Sequence, residues 1–281
     1  MTIQASNLLN FMYSKHLVSP IFVERELQSI GKSIIAPDLR IADMIPLDHD
    51  HFGGVGATEK CITSCNINSE STIFDIGSGL GGPARYIGWR VGCNVTGVEI
   101  QDARYNFAVQ VTKTLHLESR VSFINADICE VNLPLNYYSH VISFLTILHI
   151  AQKQLFLKSI GQYLMAKGVV FIEDYCRGIG YSTKNENDLL SIISCPELLS
   201  VNDYLESLTA GGIQIDKTYD MTSEWTDQAR ERCADFETHR LDKIRIHGDV
   251  TINKASQFAK GVAALFETGI IQGIRIIATK K

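Results

Sequence analysis

From Thr72 onward the chain alternates short runs of β-branched and aromatic residues with stretches of helical periodicity. The runs predict strands at Thr72–Ile76, Asn94–Val98, Val121–Asn125, His140–Phe144 and Gly168–Glu173. Between them the pattern predicts helices over Gly82–Gly92, Ala103–Leu115 and Lys153–Leu164. Strands without a polar face must be covered on both sides, and strand–helix alternation supplies that cover, so a parallel sheet is expected. Right-handed crossovers then wind it doubly. After Tyr175 the rhythm loosens, then resumes with a helix at about Val201–Ala210 and a strand at Ile213–Thr218. Helical stretches follow at Asp227–Lys243 and Thr251–Glu267, and a last strand at Gly273–Thr279. Gly211-Gly212 suits a helix stop with a left-handed residue. The last strand, followed by Lys280 and Lys281, is expected to run antiparallel at or near the sheet edge. The fold class is therefore α/β, a doubly wound, mostly parallel, seven-stranded Rossmann-like sheet with a reversed last strand.

Up to about Asp50 the pattern is helical and polar, punctuated by Pro20, Pro37 and Pro46. The glycine-containing loop His51–Gly56 then leads into a predicted helix from Ala57 to about Cys65. The expected division is a helical cap over residues 1–52 and a main domain over 53–281. Within the latter, 226–267 is a helical insertion expected to form a lid or a homodimer surface.

Composition excludes more than it assigns. With 45% hydrophobic and 20% charged residues, 21 Gly and 6 Pro among 281, collagen-like, disordered and disulfide-scaffold classes fall away. Basic residues number 26 and acidic 31, a net charge of −5. The most basic stretch, Arg230–Arg245, interleaves Glu231, Asp235, Glu237 and Asp242 and reads as a solvated helix face, so nucleic acid is not the expected partner. Seven scattered cysteines form no CxxC, and the Cys61/Cys65 pair lacks the second half of a zinc site. Reduced, mostly buried thiols are expected. His49-Asp-His51 is a polar loop rather than a metal site, and no metal is expected. Met1–Pro20 lacks the basic start and apolar run of a signal peptide. The apolar stretch Val141–Ile150 is broken by Ser143, Thr146 and His149, well short of the roughly 20 residues of a membrane span. A soluble, cytoplasmic protein with no membrane partner is expected.

The strongest local signal is Asp75-Ile-Gly-Ser-Gly-Leu-Gly-Gly82, directly after a strand and opening a helix. Gly77, Gly79 and Gly82 satisfy G-x-G-x-x-G, with Glu99 following 22 residues after Gly77 at the end of the second strand. That pattern admits a dinucleotide or S-adenosylmethionine, and Asp75 decides between them. A carboxylate facing a pyrophosphate sets negative charge against negative charge in a shielded cleft. Facing the ammonium and sulfonium of S-adenosylmethionine, it is favourable. Glu99 is placed to accept both ribose hydroxyls, and Asp127, after the third strand, to accept from the adenine amino group, with Ile128 beside it. Ligands in this architecture bind outside the carboxyl ends of the strands, where all three acids fall.

These residues resemble class I S-adenosylmethionine-dependent methyltransferases, whose successive cofactor motifs look like Asp75–Gly82, Val98-Glu99 and Ala126-Asp127. A closer likeness, to phosphoethanolamine and glycine/sarcosine/dimethylglycine N-methyltransferases, rests on Gly53-Gly54, Ala57-Thr58, Ile147-Leu-His149, Asp174-Tyr-Cys176 and Met221–Trp225. Gly81-Gly-Pro-Ala-Arg85 is similar to sterol and tocopherol C-methyltransferases. The resemblance implies a methyltransferase domain binding S-adenosylmethionine and releasing S-adenosylhomocysteine. Its expected cofactor-binding residues are Gly54, Asp75, Gly77, Ser78, Gly79, Glu99, Ile100, Asp127, Ile128, Ser143 and His149.

The acceptor is expected to be a small molecule methylated in line, most simply at an amine nitrogen. His149, just past the fourth strand, is the expected base, since an imidazole of pKa ~6.5 suits proton removal at neutral pH. Tyr175, after the fifth strand, falls where an acceptor would rest, and Trp225 with Glu224 is expected to line the pocket or anchor a lid. His149 and Tyr175 are equally compatible with structural roles. In the phosphoethanolamine enzymes the matching histidine pairs with an N-terminal tyrosine and follows an aspartate by four residues. Here no tyrosine occurs from His16 through Phe52, and Leu145 stands at the aspartate position, which disfavours phosphoethanolamine itself. A carbon or oxygen acceptor on a lipid, sterol or phenol is the main rival. An NAD-linked oxidoreductase and a non-catalytic methyltransferase-like subunit are the other competing classes.

Overall fold

The computed structural model describes residues 19–281; the start of the expected cap, and most of the segment read for a signal sequence, lie outside the described residues. The strands are β1 (Thr72–Ile76), β2 (Asn94–Glu99), β3 (Val121–Asn125), β4 (Tyr138–Phe144), β5 (Leu164–Arg177), β6 (Ile213–Asp220) and β7 (Ile271–Lys280). They form one sheet in the order β3-β2-β1-β4-β5-β7-β6. The first five pair parallel, and β7 runs antiparallel between β5 and β6. The reversed last strand is thus next to the edge, and β6 is the edge strand.

Period-two alternation sends Phe74 and Ile76 to one face of β1 and Ile73 to the other. On the first face, Phe156 and Leu157 of α6 (Lys153–Ser159) and Tyr204 and Leu208 of α8 (Val201–Ala210) pack with Val141, Val170 and Ile276. On the second, Cys61 of α3 (Gly54–Ser64), Ile87 of α4 (Gly82–Val91) and Ala108 of α5 (Asp102–Thr114) pack with Ile73, Val95 and Phe171. The chain winds outward from β1 to β2 and β3, then returns to place β4 on the other side of β1. That switch leaves a crevice at the carboxyl ends of β1 and β4.

Three elements depart from the sequence pattern. The helix predicted over Lys153–Leu164 ends at Ser159 with a 3-10 turn, and Leu164 begins β5. Leu164 pairs with Tyr138 and Val169 with His140, so the intervening residues bulge, Lys167 taking a φ of 61°. A helix, α7 (Glu186–Ile193), occupies the loosened region, entered through a capping box between Ser182 and Asn185. The insertion holds three helices rather than two: α9 (Thr222–Thr238), α10 (Arg240–His247) and α11 (Asp249–Glu267). Gly248, at φ 84°, makes the break before α11. Gly212 does take the left-handed conformation after α8, at φ 80°.

The N-terminal helix α1 (Pro20–Ser29) packs on α10 of the insertion, and α2 (Ile41–Asp48) packs on α4. Arg25 Nη1 donates to the His247 carbonyl at 2.7 Å, and His247 stacks on Phe22 while its Nε2 meets Glu26 Oε1 at 2.6 Å. Among the described residues no helix is long and apolar enough to cross a membrane.

Candidate active site

The loop after β1 needs glycine for a reason visible in its backbone. Gly77, at φ 65°, packs so closely on Thr146 that an added Cβ would lie well inside van der Waals contact distance of Thr146 Cγ2. Gly79, at φ 56°, turns its N–H to Glu99 Oε2 at 2.9 Å. Glu99 Oε1 accepts the Gln101 N–H at 2.8 Å, so both carboxylate oxygens are fixed at the end of β2. Burial raises the Glu99 pKa, against the pull of Arg104. Asp127 accepts the Cys129 N–H at 2.9 Å, which sets the turn after β3.

Asp75 is the unusual group. It is 2% exposed, and its Oδ2 has no hydrogen-bond partner among the described residues; neither has Ser78 Oγ. Burial, with Glu99 nearby, pushes its carboxyl up to about 7. An unpartnered buried carboxyl oxygen beside a glycine loop is an open position for a donor or a cation.

One continuous cavity of about 510 Å³ brings Asp75, Gly77, Ser78, Gly79, Glu99, Ile100, Asp127, Ile128, His149 and Tyr175 together. Gly54 and Ser143 are not among its lining residues: Gly54 opens α3, and Ser143 is fully buried where β4 pairs with β1. The three acids thus converge from three strand ends on one space, and the residues suit S-adenosylmethionine: anionic at Asp75, carboxylate at Glu99 for a diol, amide and carboxylate at Asp127–Ile128 for an adenine edge. Asp75 and Glu99 would meet a pyrophosphate with like charge.

His149 lies in a 3-10 turn after β4, its Nδ1 3.2 Å from the Ser194 carbonyl. A carbonyl only accepts, so Nδ1 carries the hydrogen, and the neutral ring bears its lone pair on Nε2. Tyr175, at the end of β5, is buried among Phe52, Trp225 and Phe266, which raises its phenol pKa and keeps it protonated. Behind both sits Asp174, wholly buried, whose Oδ1 accepts the Tyr175 N–H at 2.9 Å and Oδ2 the Tyr204 hydroxyl at 3.0 Å. The Leu148 amide also donates to it, so one carboxyl ties the His149 turn to the Tyr175 strand. Burial raises it to about 7.

Other expectations are redistributed. Trp225 does not line the cavity but is 1% exposed in the core, stacked 5.2 Å from Phe52, and Glu224 is exposed. His49 Nδ1 meets Asp48 Oδ1 at 3.0 Å, and His51 is buried and held well below the usual histidine range, first by that burial. Among the described residues no group of three His, Cys, Asp or Glu could hold a metal. Arg232, within the stretch read as a solvated face, turns inward and lines the cavity. Sequence reasoning also missed Asp50, Arg104 and Thr146 on the cavity wall. The interleaved charge of 230–245 hid Arg232, because only the angular position on α9 separates it from its exposed neighbours.

This fold, with its glycine loop and acids at successive strand ends, is similar to that of the class I S-adenosylmethionine-dependent methyltransferases. Residues 74–172 match the family model described as a methyltransferase domain. The chain is related to the phosphoethanolamine N-methyltransferases: it is 28% identical to the Plasmodium falciparum enzyme over 62% of this chain and 65% of that one. It is 29% identical to phosphoethanolamine N-methyltransferase 1 of Arabidopsis thaliana over 44% of this chain and 25% of that protein. The chain therefore spans less than two thirds of either relative. In structure it is similar to phosphoethanolamine N-methyltransferase 2 of Haemonchus contortus, with a TM-score of 0.79 at 17% identity, covering 96% of this chain and 59% of the other.

Proposed function

We propose that this chain transfers a methyl group from S-adenosylmethionine to a small-molecule acceptor, at an amine nitrogen. The observation that carries this reading is the buried Asp75 carboxyl with its unpartnered Oδ2, in one cavity with Glu99 and Asp127. When bound, S-adenosylmethionine supplies a methyl already activated on a sulfonium. Asp75 would hold the ammonium, Glu99 the ribose hydroxyls, and Asp127 with Ile128 the adenine edge, over the backbone of Gly77–Gly79. The protein's remaining work is to hold the acceptor at its attack distance, an effect worth about 7–11 kcal/mol, and to receive a proton. His149 Nε2, which the Ser194 carbonyl presents in the accepting tautomer, would receive the proton that the acceptor nitrogen loses.

The relatives are phosphoethanolamine N-methyltransferases, and the Haemonchus structure holds phosphomonomethylethanolamine and S-adenosylhomocysteine, which supports both the cofactor and the amine class. The acidic balance of −5 supports a small molecule over a nucleic acid. Seven cysteines, all free, support a cytoplasmic setting. Residues 1–52 and 226–267 act together as the cap, a role supported by the His247–Glu26 and Arg25–His247 contacts between their described parts.

The test is transfer of labelled methyl from S-adenosylmethionine to a panel of glycine, sarcosine, dimethylglycine, phosphoethanolamine, small phenols and a sterol. Turnover is expected on an amine, falling about 100-fold or more in His149→Ala. No binding of S-adenosylhomocysteine to the wild type would overturn the reading, and turnover on the sterol or phenol alone would overturn the amine.

A further inference from the structure

The cofactor residues leave the β4–β5 end of the cavity for the acceptor, and the wall there has a definite chemistry. Leu148, Leu190, Ile193, Phe258, Ala259 and Val262 supply it, from the His149 turn, α7 and α11. Among the described residues no lysine lines the cavity, and its arginines are Arg104 and Arg232. Arg104 faces acids: it lies 3.9 Å from Asp50 and draws down the Glu99 pKa. Arg232 does not. Its Nη2 donates to the carbonyls of Asp50 and His51 at 3.4 and 3.0 Å, and its guanidinium covers the Phe52 ring at 4.8 Å. Among the described residues no carboxylate lies within ion-pair distance of it. His51 beside it is kept neutral by burial, so it does not compete for an anion.

A guanidinium held by two neutral carbonyls and an aromatic face, in an apolar chamber, retains its full charge and its remaining donors. The group that answers it is an anion, and the group that answers the wall is a hydrocarbon body. We propose that Arg232 is the specificity-determining residue of the acceptor chamber, and that the acceptor is an amphiphilic amine whose anionic end pairs with Arg232 and whose multi-carbon apolar body lies against Leu148, Ile193 and Val262. This rests on the methyltransferase reading for the amine end alone. A compact amino-alcohol phosphate would leave that wall uncovered. The anion itself is a carboxylate or a phosphate, both of which suit a guanidinium fork.

The experiment is calorimetric titration of the full chain, saturated with S-adenosylhomocysteine, with 8-aminooctanoate, its carboxamide and 8-aminooctyl phosphate. Wild type is expected to bind the two anions about tenfold or more tighter than the carboxamide, the contribution of one charge-assisted hydrogen bond. Arg232→Gln is expected to bring the three within about twofold while leaving the carboxamide affinity near that of wild type. Arg232→Lys should keep part of the preference. Shortening the carboxylate from eight carbons to four should weaken binding by about two- to fourfold per methylene. Whichever anion binds tighter supports the subsite and names its source. Equal binding of acid and amide, or no binding of any probe, would overturn the proposal. So would equal losses of acid and amide in Arg232→Gln, which would make Arg232 only a staple for the loop at Asp50–His51. Phosphoethanolamine binding tighter than 8-aminooctanoate would overturn the apolar body. Titration of S-adenosylhomocysteine alone reports separately on the cofactor reading, and the acid–amide comparison repeated without it still reports on Arg232.

Discussion

Replacing Asp75 by Asn tests the charge logic of the site, because it should move stability and affinity in opposite directions. In the ligand-free protein, burial and then Glu99 hold the Asp75 carboxyl at about 7 against an ordinary 3.8. Each unit of that difference is worth about 1.4 kcal/mol, so ionised Asp75 costs the ligand-free fold about 4 kcal/mol at most. Water entering the cavity screens part of this, and about 2 kcal/mol is the expected cost. The folded-state value lies above the unfolded one, so the cost is absent below about pH 4, grows between 4 and 7, and is complete above 7. Asn keeps the shape without the charge. At pH 8 the variant's thermal midpoint should therefore rise by roughly 4–8 °C, and the gain should vanish near pH 4.

Affinity should go the other way. A lost charge-assisted hydrogen bond to the ligand's ammonium is worth about 1.5–3 kcal/mol, so S-adenosylhomocysteine should bind roughly 10- to 150-fold more weakly. Wild-type affinity should also fall about tenfold per pH unit below 7, where the carboxyl must first lose its proton, and the variant's should be flat. Thermal melts and calorimetric titrations at pH 6, 7 and 8 measure both. A variant that melts lower than wild type at pH 8, or binds within twofold of it, would refute the assignment of Asp75.

Gly77→Ala should abolish measurable S-adenosylhomocysteine binding, since the methyl would collide with Thr146 Cγ2 at a φ of 65°; pairing it with Thr146→Gly should recover part of the affinity, which an ordinary binding assay reads. Arg85→Met should destabilise the fold by about 3–5 kcal/mol in urea, because it leaves Asp48 buried without its guanidinium, now 2.7 Å away. Adding Asp48→Asn should return much of that loss, and a single variant as stable as wild type would refute the pairing.

The central strands β1, β4 and β5 were legible because they are buried on both faces, which writes them as largely apolar runs. The cofactor half of the site was legible for a related reason. Asp75–Gly82, Glu99 and Asp127 each sit at the end of such a run, so locating the strand locates the residue. Boundaries were lost where a residue satisfies two patterns at once. Leu164 closes the apolar stripe of a helix and equally opens β5, and only its pairing with Tyr138 decides. Ser143 shows the limit of motif transfer: it lies one residue from the end of β4, yet the strand's alternation buries it beside β1 rather than in the cavity. Trp225 reads as a lid anchor from its place before a helix, but stacking on Phe52 commits it to the core.

Beyond His149 and Tyr175, the acceptor wall was illegible because much of it is assembled from helices remote in sequence, α7, α9 and α11, whose cavity-facing residues fall in no motif. Which side chain of an amphipathic helix faces a cavity depends on how three such helices pack, and that is decided by tertiary contacts such as Gly261 against Ile192. This division has a chemical cause. A cofactor is bound through backbone amides and a few carboxylates, which demand glycines and acids at fixed offsets from strand ends. An acceptor is bound through shape and a single charge, which any helix can supply. The same division places the energetic burden on Asp75: the strand end that makes the cofactor motif readable also buries its carboxyl, and the ligand's ammonium is the group that relieves that burial.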